Sequence, residues 1–328
     1  MTSIAVIGAG RIGQIHADNL YRNPLADLRY IVDVDESAAR ELAARCAAQT
    51  TTTDELFADD SVEAVVIASS TDTHAELVCR AAQSGKAIFC EKPLDLNADT
   101  ARQCLAEVET HGVLMCLGFN RRHDPSFDRI RKEIDSGNIG DVEVVAITSR
   151  DPSPPPVEYI DRSGGLFRDM MIHDFDMGRW LLGEEPVEVF AYGAVLIDPA
   201  IGDAGDVDTA SAVLRTKSGR LCQISNSRRC SYGYDQRIEV FGSQGMARSG
   251  NCRETAVETA NASGYGRDVA LPFFLERYAD AYRIQLDKFL RAVGGEAVEL
   301  PGGIDGLRAL QLADAAQLSS EQGRPVAV

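Results

Sequence analysis

Ser3-Ile4-Ala5-Val6-Ile7-Gly8-Ala9-Gly10-Arg11-Ile12-Gly13 is the stretch that decides the fold. A run that is apolar at successive positions suits a strand buried on both faces, and the glycines that follow have the G-x-G-x-x-G spacing. Many such hexapeptides are only turns. Here the strand before it and the helical pattern over residues 12–22 supply the context a dinucleotide-binding loop requires. Glycine permits the tight turn and the close approach of backbone to a pyrophosphate, and a helix start offers free amide donors with partial positive charge. Gly8, Gly10, Arg11, Ile12 and Gly13 are therefore candidate cofactor-binding residues. A second strand ends at Ile31-Val32-Asp33, at the distance where a carboxylate accepts from both ribose hydroxyls and repels a 2′-phosphate. Asp33 thus favours NAD over NADP; the competing explanation is an Asp that caps the next turn.

Working outward, residues 4–7, 29–32, 64–68, 87–90 and 113–117 read as strands, with helices near 12–22, 37–48, 72–84 and 98–111. This alternation predicts an α/β, doubly wound parallel sheet of the Rossmann type over residues 1–120. The third strand end carries Ser69-Ser70-Thr71-Asp72-Thr73-His74. Small polar groups there line a cofactor crevice, which makes Ser69, Thr71 and His74 candidates, although Ser70 or Asp72 could equally cap the next helix. Beyond residue 120 the pattern changes. Asp151-Pro152-Ser153-Pro154-Pro155-Pro156 can only be loop or polyproline, and a helix is expected over 166–182 after Gly164-Gly165. Strands are expected at 187–191, 209–216, 221–227 and 236–241, and helices at 274–293 and 304–322. With a turn at Lys217-Ser218-Gly219, this is an α+β domain built on a large, mainly antiparallel open sheet. The division expected is 1–120 for the nucleotide, 121–302 for substrate and oligomerisation, and 303–328 as a C-terminal helix and tail packing back on the first domain. A sheet with so few helices leaves one face short of cover, so a homo-oligomer is expected, a tetramer or dimer formed through that sheet.

Bulk properties narrow the partners. Asp and Glu outnumber Lys and Arg by 50 to 33, and a net charge of −17 disfavours nucleic acid and anionic membrane. A small neutral substrate is unaffected. The eight cysteines contain no C-x-x-C pair, as expected for free thiols in a reducing compartment. The chain opens directly on a strand pattern, and no apolar run approaches the ~20 residues of a membrane helix, so a cytoplasmic location is expected. No cluster has metal-ligand spacing.

Two segments hold candidate acid–base groups. Cys90-Glu91-Lys92-Pro93 puts one of only five lysines at the end of a buried strand, on the sheet edge that carries the glycine loop. A lysine reaching to solvent would explain it as well. In Arg168-Asp169-Met170-Met171-Ile172-His173-Asp174-Phe175-Asp176, a continuous helix would place Asp169, His173 and Asp176 on one face. A carboxylate beside an imidazole fixes its tautomer and stabilises its protonated form, as a general base requires; an exposed polar face is the bland alternative.

The Gly8–Gly13 loop, Glu91-Lys92-Pro93, Gly118-Phe119-Asn120-Arg121-Arg122 and Asp169-x-x-x-His173 occur in that order. Together they resemble the glucose-fructose oxidoreductase/inositol dehydrogenase/MocA-like oxidoreductase family, over essentially the whole chain. Gly164-Gly165-Leu166-Phe167-Arg168-Asp169 and Tyr234-Asp235-Gln236-Arg237 are most similar to its bacterial inositol 2-dehydrogenase branch. The resemblance implies NAD-dependent oxidation of a ring hydroxyl of myo-inositol to the 2-keto product. The alternatives are another polyol or sugar (scyllo-inositol, chiro-inositol, glucose) or a non-catalytic NAD-binding sensor. It also implies roles. Lys92, His173 and Asp169 would be catalytic, Glu91, Lys92 and Asn120 would join the cofactor set, and Lys92, Arg121, Asp151, Asp169, His173, Asp176 and Tyr234 would face the substrate. Two departures stand out: Gln285 occupies a place where similar proteins often carry a carboxylate, and Asp151 one where some carry Asn.

Overall fold

A computed structural model describes residues 1–328, apart from the side chain of Asp161. The chain forms two compact units, Met1–His123 with Asp280–Leu310, and Asp124–Ala279 with Gln311–Val328.

The first unit alternates as its sequence dictates: β1 (Thr2–Ile7), α1 (Arg11–Tyr21), β2 (Ala26–Val32), α2 (Glu36–Arg45), β3 (Gln49–Thr50), α3 (Thr53–Ala58), β4 (Ala64–Ile67), α4 (His74–Gln83), β5 (Ala87–Cys90), α5 (Ala98–His111) and β6 (Met115–Leu117). The strands form one parallel sheet in the order β3-β2-β1-β4-β5-β6, the doubly wound arrangement. Its register places the site. Ile7 stands opposite Ile67, and Ile67 opposite Cys90, so the segments after β1, β4 and β5 leave the sheet side by side at its carboxyl edge.

The second unit contains α6 (Pro125–Asp135), β7 (Val142–Arg150), α7 (Val157–Ser163), α8 (Gly165–Asp169), α9 (Ile172–Leu182), β8 (Pro186–Ala194), α10 (Pro199–Asp203), β9 (Thr209–Thr216), β10 (Leu221–Ser227), β11 (Asp235–Gly242), β12 (Gly245–Ser249), the hairpin β13 (Glu258–Asn261) and β14 (Gly264–Arg267), and α11 (Phe274–Arg277). Two long helices follow, α12 (Ala279–Val293) and α13 (Gly303–Gln322), and then β15 (Val326–Ala327). The seven-stranded sheet runs β12-β11-β7-β10-β9-β8-β15, antiparallel throughout except for the β7–β10 pair.

The structure differs from the sequence expectation in several places. The segment 166–182 is two helices: the Met170 and Met171 amides both donate to the Leu166 carbonyl, which closes α8 before α9 begins. Residues 274–293 likewise divide at Tyr278 into α11 and α12. The domain division also shifts. Phe289, Leu290 and Leu286 of α12 join the core of the first unit, where the Phe289 ring meets Phe89 at 5.7 Å, so residues 280–310 group with the Rossmann sheet. The tail divides too. Gly303 and Gly306 lie close against Leu105 and Leu117 in the first unit, while Ser319 bonds to the Ala191 amide and β15 pairs with β8 in the second. Among the described residues no helix is long and apolar enough to cross a membrane.

Candidate active site

In the first unit the glycine loop has the local geometry of an anion cradle. Gly8 has φ +110°, and a Cβ there would lie 2.4 Å from the Ala68 carbonyl oxygen. A Cβ on Gly13 would lie 1.9 Å from the Gly8 carbonyl oxygen, so this glycine lets α1 pack onto the loop. Gly10 is different: a Cβ there would meet open space. Gly10 is also the N-cap of α1, and it offers no side-chain cap. Asp35, Asn97 and Asp124 cap α2, α5 and α6 with their side chains, whereas the first turn of α1 has neither a cap nor an acidic residue. Uncapped amides and the positive end of a helix, facing open space at Gly10, suit a pyrophosphate. Arg11 is exposed and Ile12 half-buried beside it. Asp33 follows β2 and closes the rim. One carboxylate oxygen accepts from the Ala9 amide at 2.5 Å and the other from the Asp35 amide at 2.8 Å, so it braces the loop and turns the chain at once. Each oxygen keeps a lone pair for a ribose hydroxyl. These residues fit an NAD dinucleotide.

The strand ends beside the loop carry the next groups. Ser69 Oγ lies 2.7 Å from Thr73 Oγ1, and Thr71 opens a short 3₁₀ turn. His74 is buried, with Nδ1 2.8 Å from the Pro93 carbonyl oxygen and Nε2 3.1 Å from that of Ser69. Its ring is spent on bracing two segments of the sheet edge rather than reaching outward. Glu91 also turns inward: Oε1 is 2.7 Å from His16 Nε2, and Oε2 accepts from the Lys92 amide at 3.3 Å. Lys92, half-buried, is held between these two anchors. Burial pushes the Cys90 thiol well up, which leaves it an inert neighbour. Asn120 and Arg121 occupy a buried 3₁₀ turn, residues Asn120–His123, just after β6. In that turn burial, with Lys288 and Arg122 nearby, lowers His123 to about 3 and keeps it neutral. Gln285 is fully buried and its amide has no hydrogen-bond partner. An ionised carboxylate in that setting would cost more than the amide does.

The second unit holds the other candidates. His173 lies in the first turn of α9, half-buried. That turn is fastened by its neighbour Asp174, which the sequence reading passed over. The Asp174 carboxylate is fully buried and accepts from Ser149 Oγ on β7 at 2.6 Å and from Asn226 Nδ2 on β10 at 2.8 Å. Asp169 ends α8 and accepts from the Tyr159 hydroxyl at 3.2 Å. Met170 and Met171, which lie between Asp169 and His173, keep right-handed helical backbone angles although the regular helical hydrogen bonding is interrupted there. Asp176, one turn further along α9, is buried, with Arg179 Nη1 at 3.9 Å. Arg150 pairs with Asp235 across β7 and β11, which puts Asp151 and Tyr234 one step beyond the same rung. Asp151 donates its amide to the Ser227 carbonyl, and the buried Tyr234 ring packs edge-on to Phe273 and Tyr278. Asp235 has a full set of donors: Tyr232, Arg237 and Asn251, each at 2.7 Å. Burial opposes its ionisation, but these bonds outweigh burial and hold its carboxyl below the ordinary range.

The sequence reading named the loop, Lys92 and His173 as candidates and passed over two buried side chains, His16 and Asp174. His16 had a legible signal, a polar residue on the buried Gly13-His16-Ala17-Leu20 stripe of α1. Asp174 had none, because its partners lie on distant strands.

Comparison with known proteins agrees with this architecture. Residues 2–119 match a family model described as the NAD-binding Rossmann fold of the GFO_IDH_MocA oxidoreductases, and residues 131–328 match the C-terminal alpha/beta domain of the same oxidoreductases. The chain is 51% identical to the inositol 2-dehydrogenase of Rhizobium meliloti, over 98% of each chain. A myo-inositol dehydrogenase from Corynebacterium glutamicum superposes with a TM-score of 0.96 at 42% identity, covering 100% of this chain and 99% of that one. The scyllo-inositol dehydrogenase of Lactobacillus casei, solved with bound NAD(H) and scyllo-inositol, gives 0.92 at 27% identity, with 100% and 99% covered.

The glycine geometry separates packing from binding. Gly13→Ala should lower the melting temperature by roughly 5 °C or more, because backbone must move. Gly10→Ala should leave it nearly unchanged yet weaken NADH binding by about tenfold or more, read by fluorescence titration. Equal NADH affinity in Gly10→Ala and the unaltered protein would remove the pyrophosphate from this loop.

Proposed function

This chain belongs to the GFO/IDH/MocA oxidoreductase family, and from that premise we propose that it oxidises a ring hydroxyl of myo-inositol to 2-keto-myo-inositol (scyllo-inosose) with NAD. The observation that carries this reading is the position of Lys92. It follows β5 on the same carboxyl edge as the glycine loop, one strand beyond the Ser69 segment, and is braced on both sides. An ammonium fixed beside a dinucleotide cradle can hydrogen-bond a substrate oxygen and steady the negative charge that grows on it. His173 takes the proton of the reacting hydroxyl, and Asp169 orients or balances the charge of this pair. When bound, NAD accepts the hydride from the carbon that carries that hydroxyl. Arg121, Asp151, Asp176 and Tyr234 are assigned to the remaining hydroxyls of the ring, where a polyol needs several fixed donors and acceptors. Asp33 supports the preference for NAD, since a 2′-phosphate would lie against its carboxylate.

The kinetic test uses NADH formation with a panel of myo-, scyllo- and chiro-inositol and glucose. Myo-inositol should give the highest kcat/KM, and Lys92→Ala and His173→Ala should each lower kcat by roughly a hundredfold or more. Equal rates on every polyol would overturn the inositol assignment. Full turnover in either variant would overturn the role given to that residue.

The assembly is read from the outer face of the seven-stranded sheet. The register aligns Leu221, Val144, Phe241 and Met246 in one apolar row across four strands, and Phe241 and Met246 are 50% and 44% exposed. Val213 on β9 and Tyr192 on β8 are further exposed apolar side chains of this sheet. A second copy offering the same face would cover it in a symmetric pair. Sedimentation should find a dimer or tetramer, and Phe241→Asp should shift it towards a smaller species. A monomeric parent protein would contradict this interface.

A further inference from the structure

Lys92 owes its position to a carboxylate, and that carboxylate owes its position to His16. Glu91 is almost completely buried at the end of β5. The volume it fills exists because residue 118 is glycine: a Cβ there would lie 2.8 Å from the Glu91 carboxyl group. One carboxylate oxygen receives the Lys92 amide at 3.3 Å and the other faces His16 Nε2 at 2.7 Å. His16 is fully buried on α1, 75 residues away in sequence. Its ring is set edge-on between Phe89 at 5.1 Å and Tyr282 at 5.8 Å, so its direction is fixed by packing. Nδ1 has no hydrogen-bond partner. The Nε2–H tautomer suits this environment, because it donates to Glu91 and leaves only a lone pair at Nδ1.

We propose that His16 is a positioning residue for the oxidation: through Glu91 it fixes the backbone of Lys92, and it ties that lysine to the helix whose first turn receives the pyrophosphate. The proposal rests on the reading of Lys92 as the group on the substrate oxygen. His16 is too deeply buried to touch a ligand, so its influence passes through the carboxylate. Removing it leaves a buried carboxylate oxygen without its donor, and the Glu91–Lys92 segment then relaxes towards another partner. An error of this kind in the reacting groups slows the chemical step far more than it weakens dinucleotide binding.

The experiment compares His16→Ala, His16→Gln and Lys92→Ala. It reads kcat and KM with myo-inositol, the NADH dissociation constant by fluorescence, and the melting temperature. His16→Ala should lower kcat by about tenfold or more, since small displacements of reacting groups cost that much. NADH affinity should change by less than about threefold. His16→Gln, which carries an amide donor near the place of Nε2, should recover most of the lost kcat. In a His16→Ala background, adding Glu91→Gln should have little further effect, because the two side chains act as one unit. Unchanged kcat in His16→Ala would overturn the proposal. So would His16→Gln being as slow as His16→Ala, since His16 would then only fill space. Full turnover in Lys92→Ala would instead remove the premise about the lysine, a result separable from either outcome at His16.

Discussion

Three parallel strands ending on one rung hold the chemistry of the first unit together. Ile7, Ile67 and Cys90 stand opposite one another, so the glycine loop, the Ser69 segment and Lys92 leave the sheet together and in a fixed lateral order. Because the strands are buried on both faces, a slip of register would break the packing of Ile4, Val6, Val66 and Phe89 at once. The candidate groups therefore follow directly on strands buried on both faces. The sheet sets their lateral order, and local braces, His74 on the Pro93 carbonyl and His16 on Glu91, fix the segment around Lys92 within it.

The second unit solves a similar problem with buried polar contacts. α9 carries His173 and meets the sheet through Asp174, whose carboxylate receives Ser149 and Asn226 from two neighbouring strands. A buried charge costs several kcal/mol unless it is well paired, so this contact admits few alternative placements of the helix start. Asp235 does the same at the start of β11, with three donors at 2.7 Å. Both carboxylates lie next to residues assigned to substrate, His173 and Tyr234, and give those residues a fixed backbone.

Much of this was legible in the sequence where the signal was local. The glycine spacing, Asp33 at a strand end and Glu91-Lys92-Pro93 each depend on a few adjacent residues, and the structure gives them the loop, rim and edge expected. The central strand β7 was not recognised, although its burial alternates, because it lies between a glycine turn and a proline-rich loop. The joint at Met170 and Met171 was missed for a different reason: apolar residues with good helix propensity give no hint that both amides turn to Leu166. The place of α12 in the first unit and the pairing of His16 with Glu91 depend on contacts distant in sequence. Composition and periodicity do not encode such contacts.

The central claim is that a hydride leaves the C2 carbon of the inositol ring while residues of this chain manage the proton of its hydroxyl. The most direct measurement supplies myo-inositol carrying deuterium at C2, together with NAD, and weighs the reduced cofactor by mass spectrometry. The account predicts reduced cofactor one mass unit heavier, with the deuterium at nicotinamide C4 and a rate slower than with unlabelled substrate. Reduced cofactor without deuterium, or no reduction at all, would contradict it.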